Sequence, residues 1–336
     1  MIKRILYTLL IMFPVLASAQ INTDRVMAIG RNALYFEDYV LSIQYFNQVI
    51  NAKPYLSDPY FYRGLAKINL DDFQGAESDC SEAIERNPFV VSAYQVRGLA
   101  RIQQNNFAGA IEDYTKALEF DPENIGVWHN MALCRIRQED YKGAKNDLDK
   151  LIAISPRYTK AYLMRGEVDL KQKDTLAAEK DFGKAIEIDR YDADTWASRA
   201  ILRLQQQRYK DAEADFDHAI RLSTRNSGVY INRALARYHQ NNLRGAMSDY
   251  DIALDIDPNN FIGHYNRGLL RAQVGDDNRA IQDFNFVIEM EPDNMMAIFN
   301  RGLLLDQTGD YKGAIKDYST VINEYPNFLL GYQYRA

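Results

Sequence analysis

The chain has 336 residues, with 40 basic and 46 acidic side chains and a formal net charge of −6. Mild acidity spread evenly along the chain excludes nucleic acid as a partner, because phosphate binding needs a clustered basic face. Beyond the first twenty residues no apolar stretch approaches the ~20 needed to cross a membrane, so no membrane span is expected there.

Lys3 and Arg4 give a basic start, Ile5 to Leu16 an apolar run, and Ala17-Ser18-Ala19 a small-x-small cleavage site before Gln20. This is the form of a secretory signal peptide over residues 1–19. A membrane anchor needs a longer run, and Pro14 interrupts this one. No Cys follows the cleavage site, so a lipid anchor is not expected. The sequence therefore predicts an exported protein, periplasmic or extracellular. Without Lys3 and Arg4 the chain from Gln20 keeps 38 basic against 46 acidic residues, a net of −8.

From about Thr23 the chain repeats itself. Pro54, Pro88, Pro122, Pro156, Pro258, Pro292 and Pro326 keep a step of 34 residues, and Arg190 and Thr224 hold the same phase. With the proline at slot 32, the first unit begins at Thr23, the second at Ser57 and the ninth at Met295, so nine units cover residues 23–328. A constant period means one structural unit copied and stacked. Each unit holds two amphipathic stretches of helical period. In the third they run from about Ser92 to Gln104 and from about Phe107 to Phe120, parted by polar turns.

Some slots stay small. Slot 8 is Gly or Ala throughout, from Gly30 to Gly302, and slot 20 is Ala from Ala76 to Ala314. Others stay large: slot 4 holds Tyr60, Tyr94, Trp128, Tyr162, Trp196 and Tyr230, and slot 24 holds Phe46, Tyr114, Phe182, Phe216, Tyr250, Phe284 and Tyr318. Two antiparallel helices approach closely only where one face of each lacks bulk. This pattern, with aromatic residues frequent at slot 17, resembles the tetratricopeptide repeat from Thr23 to the C-terminus. The resemblance implies an all-α fold, an α-solenoid winding as a right-handed superhelix of antiparallel helix pairs. It also implies that first helices line a concave groove. The first unit departs most, with Val26 at slot 4 and Ser42 at slot 20, which suits an end cap.

A charge pattern runs through the units. Slot 23 is Asp in eight of the nine, from Asp79 to Asp317; slot 7 is Arg in most, and slot 11 adds Arg101, Arg135, Arg203, Arg237 and Arg271. Slots 4, 7, 8 and 11 share a helix face, so these arginines point toward packing. One reading is a row of ligand-binding cations. The other, favoured because partly buried charge requires pairing, is an internal Arg–Asp ladder. By height alone each Asp reaches the Arg of its own unit or of the next. Glu213 falls outside the ladder slot.

The resemblance places the groove at slots 2, 5, 6, 9, 12 and 13. Candidate binding residues there are Phe61, Gln95, His129, Asn130, Lys160, Asn232, Tyr238, His239, Tyr265, Asn266, Phe299 and Asn300. In the family, Asn at slot 6 holds an extended peptide by its backbone; the plainer reading is an Asn on a half-exposed helix face. The family's chaperone-type carboxylate clamp is not matched. The third to fifth units offer Asn130 and Lys160, but Gln95, Leu99 and Met164 stand at the other places.

No catalytic, cofactor or metal site is expected. His129, His218, His239 and His264 sit in different units, and metal ligation needs several ligands converging. No phosphate loop or nucleophile elbow is present. Cys80 and Cys134 lie in units separated by a whole unit, so no disulfide is expected. Leu329 to Ala336 reproduces slots 1–8 of a tenth unit, which suggests a portion of a longer protein. The expected function is a non-catalytic scaffold presenting a groove to a protein or peptide in the cell envelope, its oligomeric state open. The alternatives are the recognition arm of a larger regulator or enzyme, and an architectural spacer.

Overall fold

The computed structural model describes residues 22–335. The predicted signal peptide, its cleavage site before Gln20, and Ala336 at slot 8 of the tenth unit lie outside the described residues. The helices fall into two compact bodies that divide after Ser155. In the first body the pairs are α1 (Thr23–Tyr35) with α2 (Tyr39–Ala52), α3 (Asp58–Ile68) with α4 (Phe73–Arg86), α5 (Val91–Gln103) with α6 (Phe107–Phe120), and α7 (Ile125–Arg137) with α8 (Tyr141–Ile154). The second body pairs α9 (Thr159–Lys171) with α10 (Thr175–Ile188), α11 (Ala193–Gln205) with α12 (Tyr209–Leu222), and α13 (Ser227–His239) with α14 (Leu243–Ile256). It continues with α15 (Phe261–Gln273) and α16 (Asp277–Met290), α17 (Met295–Gln307) and α18 (Tyr311–Glu324), then the short α19 (Leu329–Arg335). Each second helix packs on the first helix of its own pair and, within a body, on that of the next, as α4 does on α3 and α5. Neighbouring first helices also touch, α3 with α5 and α15 with α17.

The turn inside every pair is the same. Its slot-15 residue is left-handed: seven non-glycine residues from Glu37 to Asn241 at φ 59–65°, then Gly275 and Gly309 at 80° and 90°. That reversal lets the slot-16 N–H reach back to the slot-11 carbonyl, as Asn106 does to Arg101 and Asp276 to Arg271, both at 2.8 Å. The contact closes the last turn of the first helix. Slot 16 then caps the second helix. Asp72, Asn106, Asp140, Asn242 and Asp310 each accept the N–H three residues on, a cap worth about 1 kcal/mol.

Slot 8 faces slot 24 of its own unit. A Cβ on Gly98 would stand 2.7 Å from the Tyr114 ring; one on Gly166 would stand 2.6 Å from Phe182, and one on Gly302 2.8 Å from Tyr318. These rings are buried, and slot 20 presents fully buried alanines such as Ala76, Ala110, Ala212 and Ala280. Removing one such ring costs ~3–5 kcal/mol. Cys80 and Cys134 are free and buried. Burial pushes their thiols up to about 12 and about 11, and they pack as small apolar groups.

The turn yields a paired test by urea denaturation. A Cβ on Gly275 meets nothing within 4 Å, so Gly275→Ala reads backbone conformation alone; it should destabilise by about 1 kcal/mol. Gln207→Gly, at φ 61°, should stabilise by about 0.5 kcal/mol, because glycine also adds freedom to the unfolded chain. Unchanged midpoints for both would show that the turn stores no strain.

Candidate protein-binding face

The arginines of the first helices are engaged inside the fold. In the first body Arg63 grips Asp79 with Nε and Nη2 at 2.8 and 2.5 Å, and Arg97 holds Asp113 in the same way. The second body repeats the contact in Arg165–Asp181, Arg199–Asp215, Arg233–Asp249, Arg267–Asp283 and Arg301–Asp317. Each Asp therefore takes the Arg of its own unit. The third nitrogen reaches back to slot 25 of the preceding unit: Arg63 to Asn47 (2.6 Å), Arg97 to Ser81 (3.1 Å), Arg233 to Asp217 (2.7 Å) and Arg267 to Asp251 (2.8 Å).

Slot 11 forms a second set of ties. Arg101 bridges Asp113 and Glu77, Arg203 bridges Asp215 and Glu179, and Arg237 bridges Asp249 and Glu213. Glu213, expected outside the ladder, is thus part of it: its other oxygen accepts from Gln240 at 2.7 Å. The slot-7 guanidinium groups also lie over slot-4 rings, at 5.1 Å for Arg199 and Trp196 and 5.4 Å for Arg233 and Tyr230. The aspartates are buried, and such carboxylates need charged, hydrogen-bonded partners. The ladder is structural, and its arginines are not a row offered to a ligand.

The fourth unit is different. Met131 stands at slot 7, so of the ladder cations Asp147 has only Arg135 (2.7 Å), which is shared with Asp140 (2.8 Å). Burial pushes the Asp147 carboxyl above its usual range, and Arg135 only partly offsets this.

The candidate groove residues divide by what they touch. Phe299 is 6 % exposed. Its ring packs against Phe328 at 5.0 Å and against Tyr318 and Tyr334 at 5.8 Å, so it is a core residue and not a surface for a ligand. Phe61 is half-buried against the cluster around Tyr60, Ala83 and Ala93. The Asn232 amide donates to Gly228 O in its own helix at 3.0 Å, the plainer of the two readings for slot 6. His239 is exposed but stacks on Tyr209 at 4.5 Å, with Tyr238 edge-on at 5.5 Å. Gln95, His129 and Asn130 are half-buried on α5 and α7, and Lys160 is exposed on α9.

Tyr265 and Asn300 come together where α15 meets α17, while Asn266 is half-buried on α15 with no contact placed to either. The Asn300 amide donates to the Tyr265 hydroxyl at 3.2 Å. Beside this contact opens a cavity of about 250 Å³ lined by Phe261, Ile262, Tyr265, Asn294 and Met296. Ile262 and Met296 are about half exposed, and Leu269 continues the stripe one turn beyond Tyr265. Burial raises the Tyr265 phenol above its ordinary range. It stays neutral, accepts from Asn300 and keeps its own proton to donate. Phe261, Ile262 and Met296 were not singled out from sequence. The signal for the last two is slot 2, which is polar or Gly in the first seven units and turns apolar at Ile262 and Met296; Phe261, at slot 1, carries none.

Among the described residues no group of three or more His, Cys, Asp or Glu is placed to hold a metal. None of the helices among the described residues is long and apolar enough to cross a membrane.

Family models agree with this architecture. One described as TPR repeat matches residues 98–134, and two described as tetratricopeptide repeat match 125–158 with 159–192, and 198–261 with 265–327. The chain belongs to the tetratricopeptide repeat family, with the α-solenoid fold of that family. A tetratricopeptide repeat protein from Parabacteroides merdae is similar at 21% identity over 74% of this chain and 98% of its own, with a TM-score of 0.57. The C-terminal part of a TPR repeat-containing protein from Cytophaga hutchinsonii is similar at 17% identity over 71% of this chain and 98% of its own, at 0.58. A chain of the APC/C hetero-tetramer Cut9–Hcn1 is similar at 13% identity over 87% of this chain and 57% of its own, at 0.57. At these identities the likeness shows the fold alone. No curated protein matches the chain.

Two tests follow from the ladder. Asp249→Ala should cost about 3 kcal/mol by leaving Arg233 and Arg237 without their buried acceptor. Asp255→Ala, exposed on the same helix, should stay within about 0.5 kcal/mol; similar losses in urea would remove the ladder's role. The Asp147 carboxyl, raised in the fold, contributes stability that is fully present below its unfolded pKa and lost as pH rises through the folded value. Asp147→Asn should therefore gain on the wild type between acid and neutral pH, and a constant difference would contradict the raised carboxyl.

Proposed function

We propose that this protein is a non-catalytic scaffold that works outside the cytoplasm and holds a segment of another protein along its first helices. The observation that carries the reading is the α15–α17 cavity, an apolar recess beside the linked pair Tyr265–Asn300. A recess of this kind takes one large apolar side chain, and the free Tyr265 proton meets a carbonyl of the same segment. The ladder supports the non-catalytic part: the charged groups that would do acid–base work in an enzyme are held in one another's grip. The export reading rests on residues 1–19, with Lys3, Arg4, the apolar run and Ala17-Ser18-Ala19.

Selection of peptides from a displayed library against the chain from Gln20, followed by calorimetry on the best binder, tests the first claim. Ile262→Asp and Met296→Asp should each weaken binding at least about tenfold, the effect of placing a charge in an apolar recess. Ile315→Asp, exposed on α18, should not. No enrichment, or equal affinity in all three variants, would refute the site. Mass spectrometry of the product expressed from the full sequence tests export: a chain beginning at Gln20 is expected, and an intact N-terminus in a soluble cytoplasmic product would refute it.

A further inference from the structure

The repeat supplies an internal reference. A residue type that packing demands recurs at its slot, so several slots changing together around one cavity need another cause. Slot 32, proline in seven units, is Arg190 in the fifth. Slot 29, acidic or neutral elsewhere, including Glu85, Glu119, Asp255 and Glu289, is Arg221 in the sixth. Slot 26, lysine in the three preceding units, is His218 in the sixth. All three line one cavity of about 440 Å³ between α10 and α12, whose walls include Tyr191, Trp196 and Leu222.

The cavity is charged as well as apolar. Arg190 and Arg221 are exposed and have no acidic partner among the described residues, unlike the ladder arginines. The one carboxylate on the lining, Glu187, is held by Lys184 at 2.9 Å. The wall is rigid: His218 stacks on Trp196 at 4.3 Å and 12°, and the indole N–H donates to the Arg190 carbonyl at 3.0 Å. The Tyr191 N–H donates to Asp189 at 2.9 Å, which holds the backbone while the ring stands 76% exposed.

We infer that this cavity binds an acidic peptide segment with a large aromatic side chain between its carboxylates. The guanidinium forks of Arg190 and Arg221 take the carboxylates, and the ring lies against Tyr191 and Leu222. Two isolated cations on a chain of net charge −6 are too few for a nucleic acid backbone, and the apolar walls favour a ligand with a body over a bare anion. The site lies between the second helices α10 and α12 and the start of α11, apart from the α15–α17 recess, and does not depend on it.

Calorimetry on the chain from Gln20 tests this with the probe acetyl-Gly-Asp-Phe-Glu-Gly-amide and its neutral counterpart acetyl-Gly-Asn-Phe-Gln-Gly-amide. The acidic peptide should bind at least about tenfold tighter, weaken with added salt, and shift Trp196 fluorescence. Arg221→Glu and Arg190→Ala should each cost about tenfold or more, consistent with loss of a charge-assisted contact. Arg244→Glu, exposed on α14, should leave affinity unchanged with Ile262→Asp. Equal binding of the two peptides, equal loss in Arg244→Glu, no binding by the acidic peptide, or full displacement by an equal concentration of inorganic phosphate would each overturn the proposal. Circular dichroism on each variant checks that it stays folded.

Discussion

A guanidinium packed between helices needs an acceptor for nearly every N–H it carries, and that requirement organises this chain. Each slot-7 arginine spends two nitrogens on the aspartate of its own hairpin and, where the contact is seen within one body, a third on the preceding hairpin. One planar group thus sets two distances at once. Inserting a single residue would turn a helix by roughly 100° and carry the aspartate out of reach. The absence of insertions between Thr23 and Pro326 follows from this geometry as much as from the ring-on-glycine contacts at slots 8 and 24.

The same pairing simplifies the surface. With the recurrent charges turned against each other, what distinguishes one unit from the next is what departs from the repeat. Two such departures coincide with recesses: apolar residues at slot 2 beside Tyr265, and unpaired cations at slots 29 and 32 beside Trp196. They lie on different helices and differ in chemistry, one apolar with a hydroxyl, the other basic with aromatic walls.

The fold was legible in sequence because period and side-chain size are enough to specify a stacked hairpin. Gly98 against Tyr114 is a volume constraint, and volume is written in residue type. The partner of each aspartate was not legible, since slots 7 and 23 sit at equal height on both sides; only the tilt of real helices decides it. Glu213 escaped because its partner Arg237 lies in the following unit, reached across a packing interface that a slot table does not contain. Phe299 shares slot 5 with Tyr265, and what covers it is Phe328 and Tyr334, about thirty residues downstream. Residues of a binding surface are the hardest to read, because no neighbour constrains them. Ile262 and Met296 stand out only when compared with the same slot in other units.

The two buried thiols bear on which chemistry can reach the folded chain. Cys80 and Cys134 ionise so reluctantly that almost none of either is thiolate at neutral pH, and the thiolate is the form that peroxide and disulfide exchange attack. Buried in the folded chain, they offer little to either reagent. Once the hairpins are stacked, neither thiol is open to form a crosslink.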